Sequence, residues 1–210
     1  RSLWKRRQEL KKPMETVILE KTIVKLGSLL ALGFGEAGVN IINQNMLSTG
    51  HETAAVNAMI PGSRVECIIG HCRIQHFSIV TEALKERVIT FVNQVAEIVH
   101  GVATSFHGAP NKNSGGTFLL IWRTTDKDDD MVKQMADMAL MAMAKCVGAI
   151  HSSDVLAKYR SHPGIQQRLG SNYRVDLSCG LHYGWAIEGA VGSEFKIDAS
   201  YLSPNVTCAV

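Results

Sequence analysis

The order of strand-like and helix-like segments is the feature that most constrains the fold of this chain. The apolar run at residues 63–74, which contains VECIIGHCRI, predicts a strand that stops at a polar turn. From Thr81, which we assign as a helix cap, apolar residues recur at three- and four-residue spacing and predict a helix. Residues 117–123, TFLLIWR, predict a second strand. A further helix and two strands follow, so this order predicts an α+β domain with helices on one face of a sheet.

The segments between these elements are predicted from their helix breakers and turn formers. Residues 14–46 contain few breakers and predict a helix, whereas residues 48–62 contain glycine and proline and predict a loop. Residues 107–116, HGAPNKNSGG, are rich in turn-forming residues and predict a turn. Residues 151–172 predict an irregular or partly helical insert.

Short local patterns mark the ends of the later elements. The acidic run 126–130, DKDDD, precedes a helix, and we interpret it as favouring the helix N-terminus, with a metal site as the alternative. Residues 173–187 and 189–197 predict two strands around a glycine-containing turn. The Ser-Pro pair at 203–204 predicts a helix start. Because the chain stops soon after this start and does not begin with Met, we expect a piece of a longer polypeptide.

The charge of the chain is distributed unevenly. The formal net charge is +3, and residues 1–12 hold six Lys or Arg and one Glu, which leaves 16 basic and 18 acidic residues elsewhere. This basic arm suits contact with other protein subunits, nucleic acid or a membrane surface, but a solvated helical linker is the interpretation we favour. The hydrophobic content of 46% excludes a disordered chain and is sufficient for one packed domain.

The cysteines indicate a reducing compartment. There are five of them, an odd number, at spacings that match no zinc or disulfide framework. Three lie in apolar runs, where free cysteine behaves as a small buried hydrophobic residue. We therefore predict an intracellular protein without a signal peptide. The residues are Cys67, Cys72, Cys146, Cys179 and Cys208.

Several common site motifs are missing from the sequence. The glycines at 180, 184, 189 and 192 lie in predicted strands with no helix N-terminus after them, so they form neither a P-loop nor a dinucleotide fingerprint. No nucleophile elbow is present. The histidines do not pair with cysteines at zinc-binding spacing.

Five ordered motifs carry a resemblance to a known family. The segments GHCRIQHFS, ERVITFVNQVAEIVH, NKNSGGTFLLIW, GLHYGWAIEGAVGSEFKID and YLSPNVTCA resemble the class III adenylate/guanylate cyclase catalytic domain, in the form found in single-celled eukaryotes. The resemblance implies a ferredoxin-like βαββαβ core that works as a dimer, with active sites at the dimer interface. It predicts a helical lead-in and linker at 1–62 and a cyclase-like domain at 63–210, truncated at its C-terminal end.

Both metal-ligand positions of the family are substituted in this chain. The family places two Asp residues that hold two divalent metals, one in D-I-x-x-F-[ST] and one in K-x-x-G-D. Here the first position is Arg73 and the second is Gly116. At an effective dielectric near 20, two unit charges about 4 Å apart interact by roughly 4 kcal/mol, and a divalent ion facing Arg73 by about twice that. We therefore expect no metal cofactor, with Mg²⁺ or Mn²⁺ bound only if a partner domain supplies the ligands.

Other positions of the family's nucleotide site are partly retained. By resemblance, Lys112 matches the base-contacting lysine and Asp198 the base-contacting acid. The backbone N–H groups of Phe77 and Ser78 match those that face the triphosphate. Thr207 replaces the transition-state asparagine. The A-S-R triplet that comes next in the family is lost in this sequence. The family's phosphate-binding arginine therefore has no counterpart that can be identified here. Lys112 and Asp198 as ordinary surface residues remain the alternative.

These features predict a catalytically impaired cyclase-like domain that serves as a non-catalytic partner or scaffold in a larger intracellular assembly. One alternative is a subunit of a heterodimeric adenylate/guanylate cyclase that supplies base-contacting residues in trans. Another is a metal-independent nucleotide sensor in which Arg73 binds phosphate. The expected partner is another cyclase-like domain, as a homo- or heterodimer, with ATP or GTP as the nucleotide. A place in a cilium or flagellum, or at a membrane through a longer chain, stays open.

Overall fold

The structure is a computed structural model that describes residues 15–48, 61–193 and 196–210. The basic arm at 1–12 lies outside the described residues, and so does most of the loop predicted at 48–62. None of the described helices is both long enough and apolar enough to cross a bilayer. The elements, in chain order, are α1 (Glu15–Ser48), β1 (Ser63–Ile74), α2 (Phe77–Leu84), a 3-10 turn (Lys85–Arg87), α3 (Val88–Ser105), β2 (Ala109–Ser114), β3 (Thr117–Arg123), α4 (Asp129–Ser152), α5 (Asp154–Ala157), a second 3-10 turn (Lys158–Ser161), α6 (Pro163–Leu169), β4 (Leu177–Ser193), β5 (Lys196–Leu202) and α7 (Pro204–Cys208).

The strands form one antiparallel sheet in the order β2-β3-β1-β4-β5. Its first four strands and the intervening helices follow the ferredoxin-like βαββαβ order that the sequence predicts. The predicted bounds of β1 and β3 agree with the structure to the residue. β5 extends the sheet by pairing with the second half of β4, from Ile187 onward.

Both faces of the sheet are covered, since β1 contributes buried residues to the core on each face. On one face, α2 to α6 enclose a core that includes Trp122, Phe91 and Phe118. The other face carries a smaller apolar cluster, which we call the second-face cluster: Val65, Cys67, Ile69, Ile121, Ala186, Ala199, Tyr201 and Ala209. On that side α1 contacts β2, β4 and β5, and α7 contacts β4. The expectation of helices on one face alone is therefore too simple.

The predicted N-terminal helix is confirmed, with a break at Gly35. This residue has φ 64° and ψ −163°, a conformation open to glycine and costly for most other residues. Before the break, apolar side chains of α1 are exposed, among them Leu19, Ile23 and Leu26. The first half of α1 therefore contributes little to the packed domain.

The assignment of Thr81 as a helix cap is wrong. α2 begins at Phe77, and Thr81 lies inside it, where its Oγ1 donates a hydrogen bond of 2.8 Å to the Phe77 carbonyl. His76, with φ 55°, turns the chain directly from β1 into this helix. The helix then breaks at the 3-10 turn before α3 resumes the predicted apolar stripe.

The turn predicted at 107–116 is mostly a strand. β2 covers 109–114 and pairs with β3, with an irregular register between Pro110 and Lys112. Because β2 is an edge strand, it tolerates proline and other turn-forming residues that a central strand would reject. Within this range, turn residues remain at His107, before the strand, and at Gly115 and Gly116, after it.

The glycine turn predicted near residue 188 is also wrong. β4 runs without interruption to Ser193, and β5 begins at Lys196, so the connection falls on residues 194–195, outside the described part. Glu188 pairs with Ser63 of β1 and Tyr201 of β5 inside the continuous strand, and a Cβ atom on Gly189 would lie 3.1 Å from the Gly62 Cα, so that glycine serves close packing. The irregular insert at 151–172 is confirmed as short helices.

The helix starts predicted at the acidic run and at Ser203 are both confirmed, in contrast to the one predicted at Thr81. Asp128 caps α4 by accepting a 2.8 Å hydrogen bond from the Met131 N–H, in agreement with the structural interpretation of the acidic run. Ser203 caps α7 through the Val206 N–H. Within the described ranges, no cluster of His, Cys, Asp or Glu is arranged to hold a metal.

Candidate functional site

The two positions expected to carry metal ligands meet at one place in the fold. Arg73 pairs with Thr117 across β1 and β3, and the Ile74 N–H donates a 2.8 Å hydrogen bond to the Gly116 carbonyl. The end of β1 thus lies against the turn between β2 and β3. An open cavity of about 570 Å³ adjoins it, lined by residues 73–79 and Ser178; we call it the strand-end pocket.

The position of Gly116 has no room for a side chain. A Cβ atom placed on Gly116 would lie 2.6 Å from both Cγ and Cδ2 of the Phe77 ring. Real Cβ atoms do not approach other atoms so closely, so an aspartate at this position requires the ring to move. The Phe77 ring therefore occupies the space that the second metal ligand would need.

Arg73 makes the strand-end pocket electropositive. Its side chain is exposed, and no carboxylate in the described part of the chain forms an ion pair with it. The pKa of the neighbouring His71 is lowered, first by burial and then by the charge of Arg73. Phe77 and Ser78 belong to the first turn of α2, where backbone N–H groups lack helical partners.

The structure brings Lys112 and Asp198 together although β2 and β5 are opposite edges of the sheet. The Lys112 Nζ lies 3.9 Å from the Asp198 Oδ2, and the Lys196 Nζ donates a 2.8 Å hydrogen bond to the same oxygen. The Lys196 hydrogen bond, with the charges of both lysines, lowers the pKa of Asp198. The pair is partly exposed, so it is available to a ligand and contributes little to stability.

Thr207 lies exposed in α7, whose position depends on Asn205. The Asn205 Nδ2 donates a 2.9 Å hydrogen bond to the Trp185 carbonyl, and its Oδ1 lies 3.0 Å from the His182 Nε2. A Cβ atom on Gly184 would approach the Asn205 side chain to 2.6 Å. Sequence analysis did not single out Asn205. The sequence feature that could have indicated it is the glycine at 184, which leaves space for the Asn205 side chain.

A buried carboxylate network was also missed from the sequence. Glu188 is 2% exposed and accepts hydrogen bonds from Arg123 at 2.6 Å, Tyr201 at 2.8 Å and Asn40 at 3.2 Å. These partners come from β3, β5 and α1. The network therefore anchors the second half of α1 to the sheet.

Sequence comparisons identify one short match. The sequence profile of the family described as the all-helical domain of RasGEFs matches residues 2–47, less than a quarter of the chain. No curated protein matches the chain in sequence. The matched stretch comprises most of α1 and residues before it that the structure does not describe.

Comparison with solved structures identifies the fold. A bacterial light-regulated adenylyl cyclase aligns with a TM-score of 0.64 and 23% identity, over 96% of this chain and 52% of its own. The adenylyl cyclase CyaB from P. aeruginosa aligns with 0.55 and 17%, over 70% of each chain. A dimeric guanylyl cyclase domain of the RhoGC fusion protein from the aquatic fungus Blastocladiella emersonii aligns with 0.52 and 12%, over 71% of this chain and 73% of its own.

The chain has the fold of class III adenylyl/guanylyl cyclase catalytic domains, with a helical N-terminal region. This confirms the fold implied by the sequence motifs. The chain spans about half the length of the bacterial light-regulated enzyme.

Proposed function

We propose that this chain is a degenerate cyclase-like domain that makes no cyclic nucleotide by itself and acts as a non-catalytic partner or scaffold in a larger intracellular assembly. One observation carries the proposal. The two adjacent positions expected to bind catalytic metals hold a cation, Arg73, and a glycine, Gly116, whose side-chain space is filled by Phe77.

The chemistry of the strand-end pocket does not fit Mg²⁺ or Mn²⁺. Both ions require oxygen ligands, chiefly carboxylates and phosphates. The ligand positions offer a guanidinium and no side chain, and the described residues contain no acidic cluster elsewhere that could replace them. A catalytic metal would need ligands from another domain.

A cyclase assay tests the proposal directly. Purified chain with Mn²⁺ or Mg²⁺ and either ATP or GTP is expected to give background product only. Arg73→Asp combined with Gly116→Asp is expected to stay inactive, because the Phe77 ring still occupies the space at 116. Turnover by the unmodified chain that disappears in Lys112→Ala would overturn the proposal, since contaminating enzyme would not respond to that change.

The partner we propose is another cyclase-like domain. The similar fungal guanylyl cyclase domain is dimeric, and β4 of this chain exposes apolar side chains at Tyr183 and Val191. We further propose that the cyclase-like domain begins near residue 63 and that the basic arm at 1–12 contacts other subunits. Light scattering of the purified chain, alone and mixed with a candidate partner, measures association; a strict monomer in both would remove the dimer proposal.

The Lys112–Asp198 pair favours a second candidate function, a subunit that supplies base-contacting residues in trans. The two side chains come within 3.9 Å from opposite sheet edges, as a shared recognition site requires. The test mixes this chain with a cyclase domain that keeps both metal-binding Asp residues but lacks its own base-contacting lysine. Activity that appears with the unmodified chain and is lost with Lys112→Ala supports this function.

Arg73 favours a third candidate, a nucleotide sensor that needs no metal. Its exposed guanidinium stands at an open pocket without a carboxylate partner in the described part of the chain, and arginine suits phosphate geometry. Nucleotide titrations with and without Mg²⁺ separate the candidates. Metal-independent binding that vanishes in Arg73→Asp supports the sensor, whereas absence of binding in both proteins leaves the partner or scaffold.

A further inference from the structure

Two cysteines face each other on neighbouring strands. Cys72 of β1 and Cys179 of β4 are directly opposite in the antiparallel register, so both side chains lie on the same face of the sheet. Their Sγ atoms are 3.6 Å apart, and both are free thiols. This cross-strand arrangement differs from the sequence expectation, which found no disulfide spacing among the five cysteines.

The two thiols differ in their access to solvent. Cys72 is fully buried, with its Sγ 3.4 Å from the Met143 Sδ in α4. Cys179 is exposed, because β5 pairs with β4 only from Ile187 onward and leaves the first part of β4 near the sheet edge. A small oxidant in solution therefore reaches Cys179 and not Cys72.

The two thiols also differ in acidity. The hydrogen bond with Cys72 lowers the pKa of Cys179, against the opposing effects of burial and of Asp176. The same hydrogen bond, together with burial, raises the pKa of Cys72. The hydrogen bond between the two thiols thus favours the thiolate on the exposed Cys179, and the thiolate is the nucleophilic form of cysteine.

We propose that Cys72 and Cys179 form a redox-sensitive pair that closes to a disulfide on exposure to a peroxide. The Cys179 thiolate attacks one peroxide oxygen and breaks the O–O bond, which gives a sulfenic acid and, after protonation, an alcohol or water. The Cys72 sulfur then attacks the Cys179 sulfur, the S–O bond breaks, and water leaves with the Cys72 proton. The two thiols lose two electrons in total, and the peroxide gains them.

The disulfide would act at the edge of the strand-end pocket. The next pair in the register is Arg73 with Ser178, and both residues line that pocket. A covalent link between β1 and β4 fixes the strand ends that carry these two residues. In a reducing compartment such a bond is transient, as regulatory disulfides are.

Peroxide oxidation followed by thiol alkylation tests the proposal on the full chain. Hydrogen peroxide should lower the number of thiols alkylated in denaturant from five to three, with a peptide that links Cys72 to Cys179 in the mass spectrum. Dithiothreitol should restore all five. The oxidised chain should also melt at a higher temperature, since the bond closes a long loop in the unfolded state.

Two variants serve as matched comparisons. Cys208→Ser removes the other exposed thiol and should leave the linked peptide unchanged, whereas Cys179→Ser should abolish both the link and the rise in melting temperature. Cys179 is exposed, so its substitution leaves the core intact. Overoxidation of Cys179 while Cys72 remains alkylatable would overturn the proposal, as would a link between Cys179 and another chain.

Discussion

At the scale of single residues, Glu188 shows how a charge is accommodated inside this sheet. It is the one charged residue that is fully buried in the described part of the chain, and both carboxylate oxygens accept hydrogen bonds. Its ion-pair partner, Arg123, is one-third exposed and can regain water if the pair is broken. Removal of Arg123 therefore leaves a buried carboxylate without its ion-pair partner, whereas removal of the Glu188 charge leaves an arginine that water can solvate.

Arg123→Ala should destabilise the protein more than Glu188→Gln. The first change leaves an unpaired buried carboxylate, at a cost of about 3–5 kcal/mol. The second leaves a neutral group with hydrogen-bonding capacity, at a cost of about 1–3 kcal/mol. Urea unfolding measures both free energies. If the two costs are equal, the buried charge is not what makes the network important.

His100 should make stability depend on pH. Its ring Nε2 lies 3.0 Å from the Asn113 Oδ1, and burial lowers the pKa of His100 more than this hydrogen bond raises it. A histidine whose pKa is lower when folded binds fewer protons in the native state, so its contribution is complete above the ordinary pKa of about 6.5 and declines as pH falls below it.

The free energy of unfolding should therefore decrease as pH falls from about 7 to 5. His100→Gln should reduce the slope in this range, while His151→Gln on the exposed surface serves as the comparison. Identical slopes in the unmodified chain and His100→Gln would show that other groups determine the pH dependence.

At the scale of elements, glycines in β4 determine where α7 can pack. A Cβ atom on Gly180 would collide with the Ala209 carbonyl, and one on Gly184 would meet Asn205. The strand therefore lacks side chains at the points where the helix approaches. Because α7 carries Thr207, this packing also fixes the location of that residue.

Gly180→Ala should destabilise the protein by about 1–3 kcal/mol, since α7 must shift to admit the methyl group. Gly148→Ala in α4 is the matched control, because a Cβ atom there meets no other atom within 4 Å. That control should be neutral or stabilising by up to about 1 kcal/mol. Thermal melts compare the two; similar effects would mean that α7 does not pack tightly on β4.

At the scale of the whole molecule, α1 has two parts with different roles. Residues 15–29 are almost all exposed, whereas Asn40, beyond Gly35, donates a hydrogen bond to Glu188, and α1 contacts β2, β4 and β5. The second half of the helix thus lies against the sheet. The second half of the predicted lead-in is therefore packed on the sheet.

Deletion of residues 1–29 should leave stability nearly unchanged, whereas deletion of residues 1–62 should lower it by at least about 2 kcal/mol. The longer deletion removes the Asn40 hydrogen bond to a buried group and uncovers apolar sheet surface. Chemical unfolding and dye binding to exposed apolar surface report both effects. An equally stable 63–210 fragment would show that the domain is complete without α1.

Several elements of this protein are determined by the sequence alone, because they depend on residues that are close together in the chain. β1 is mainly apolar and β3 contains a continuous apolar run, and the caps Asp128 and Ser203 act within three residues of their own position. The same local patterns failed at β2, because its edge position tolerates turn-forming residues. They failed at residue 188 because pairing with β1 and β5 keeps the strand continuous there.

The pairing of distant residues was decided only by the tertiary structure. Arg123 and Glu188 are 65 residues apart, and Cys72 and Cys179 are 107 apart. The motif alignment named Arg73 and Gly116, but only the β1–β3 register shows that they adjoin and that Phe77 occupies the space between them. Strand register sets such contacts, and it depends on how both faces of the sheet are buried, which no local stretch of sequence specifies.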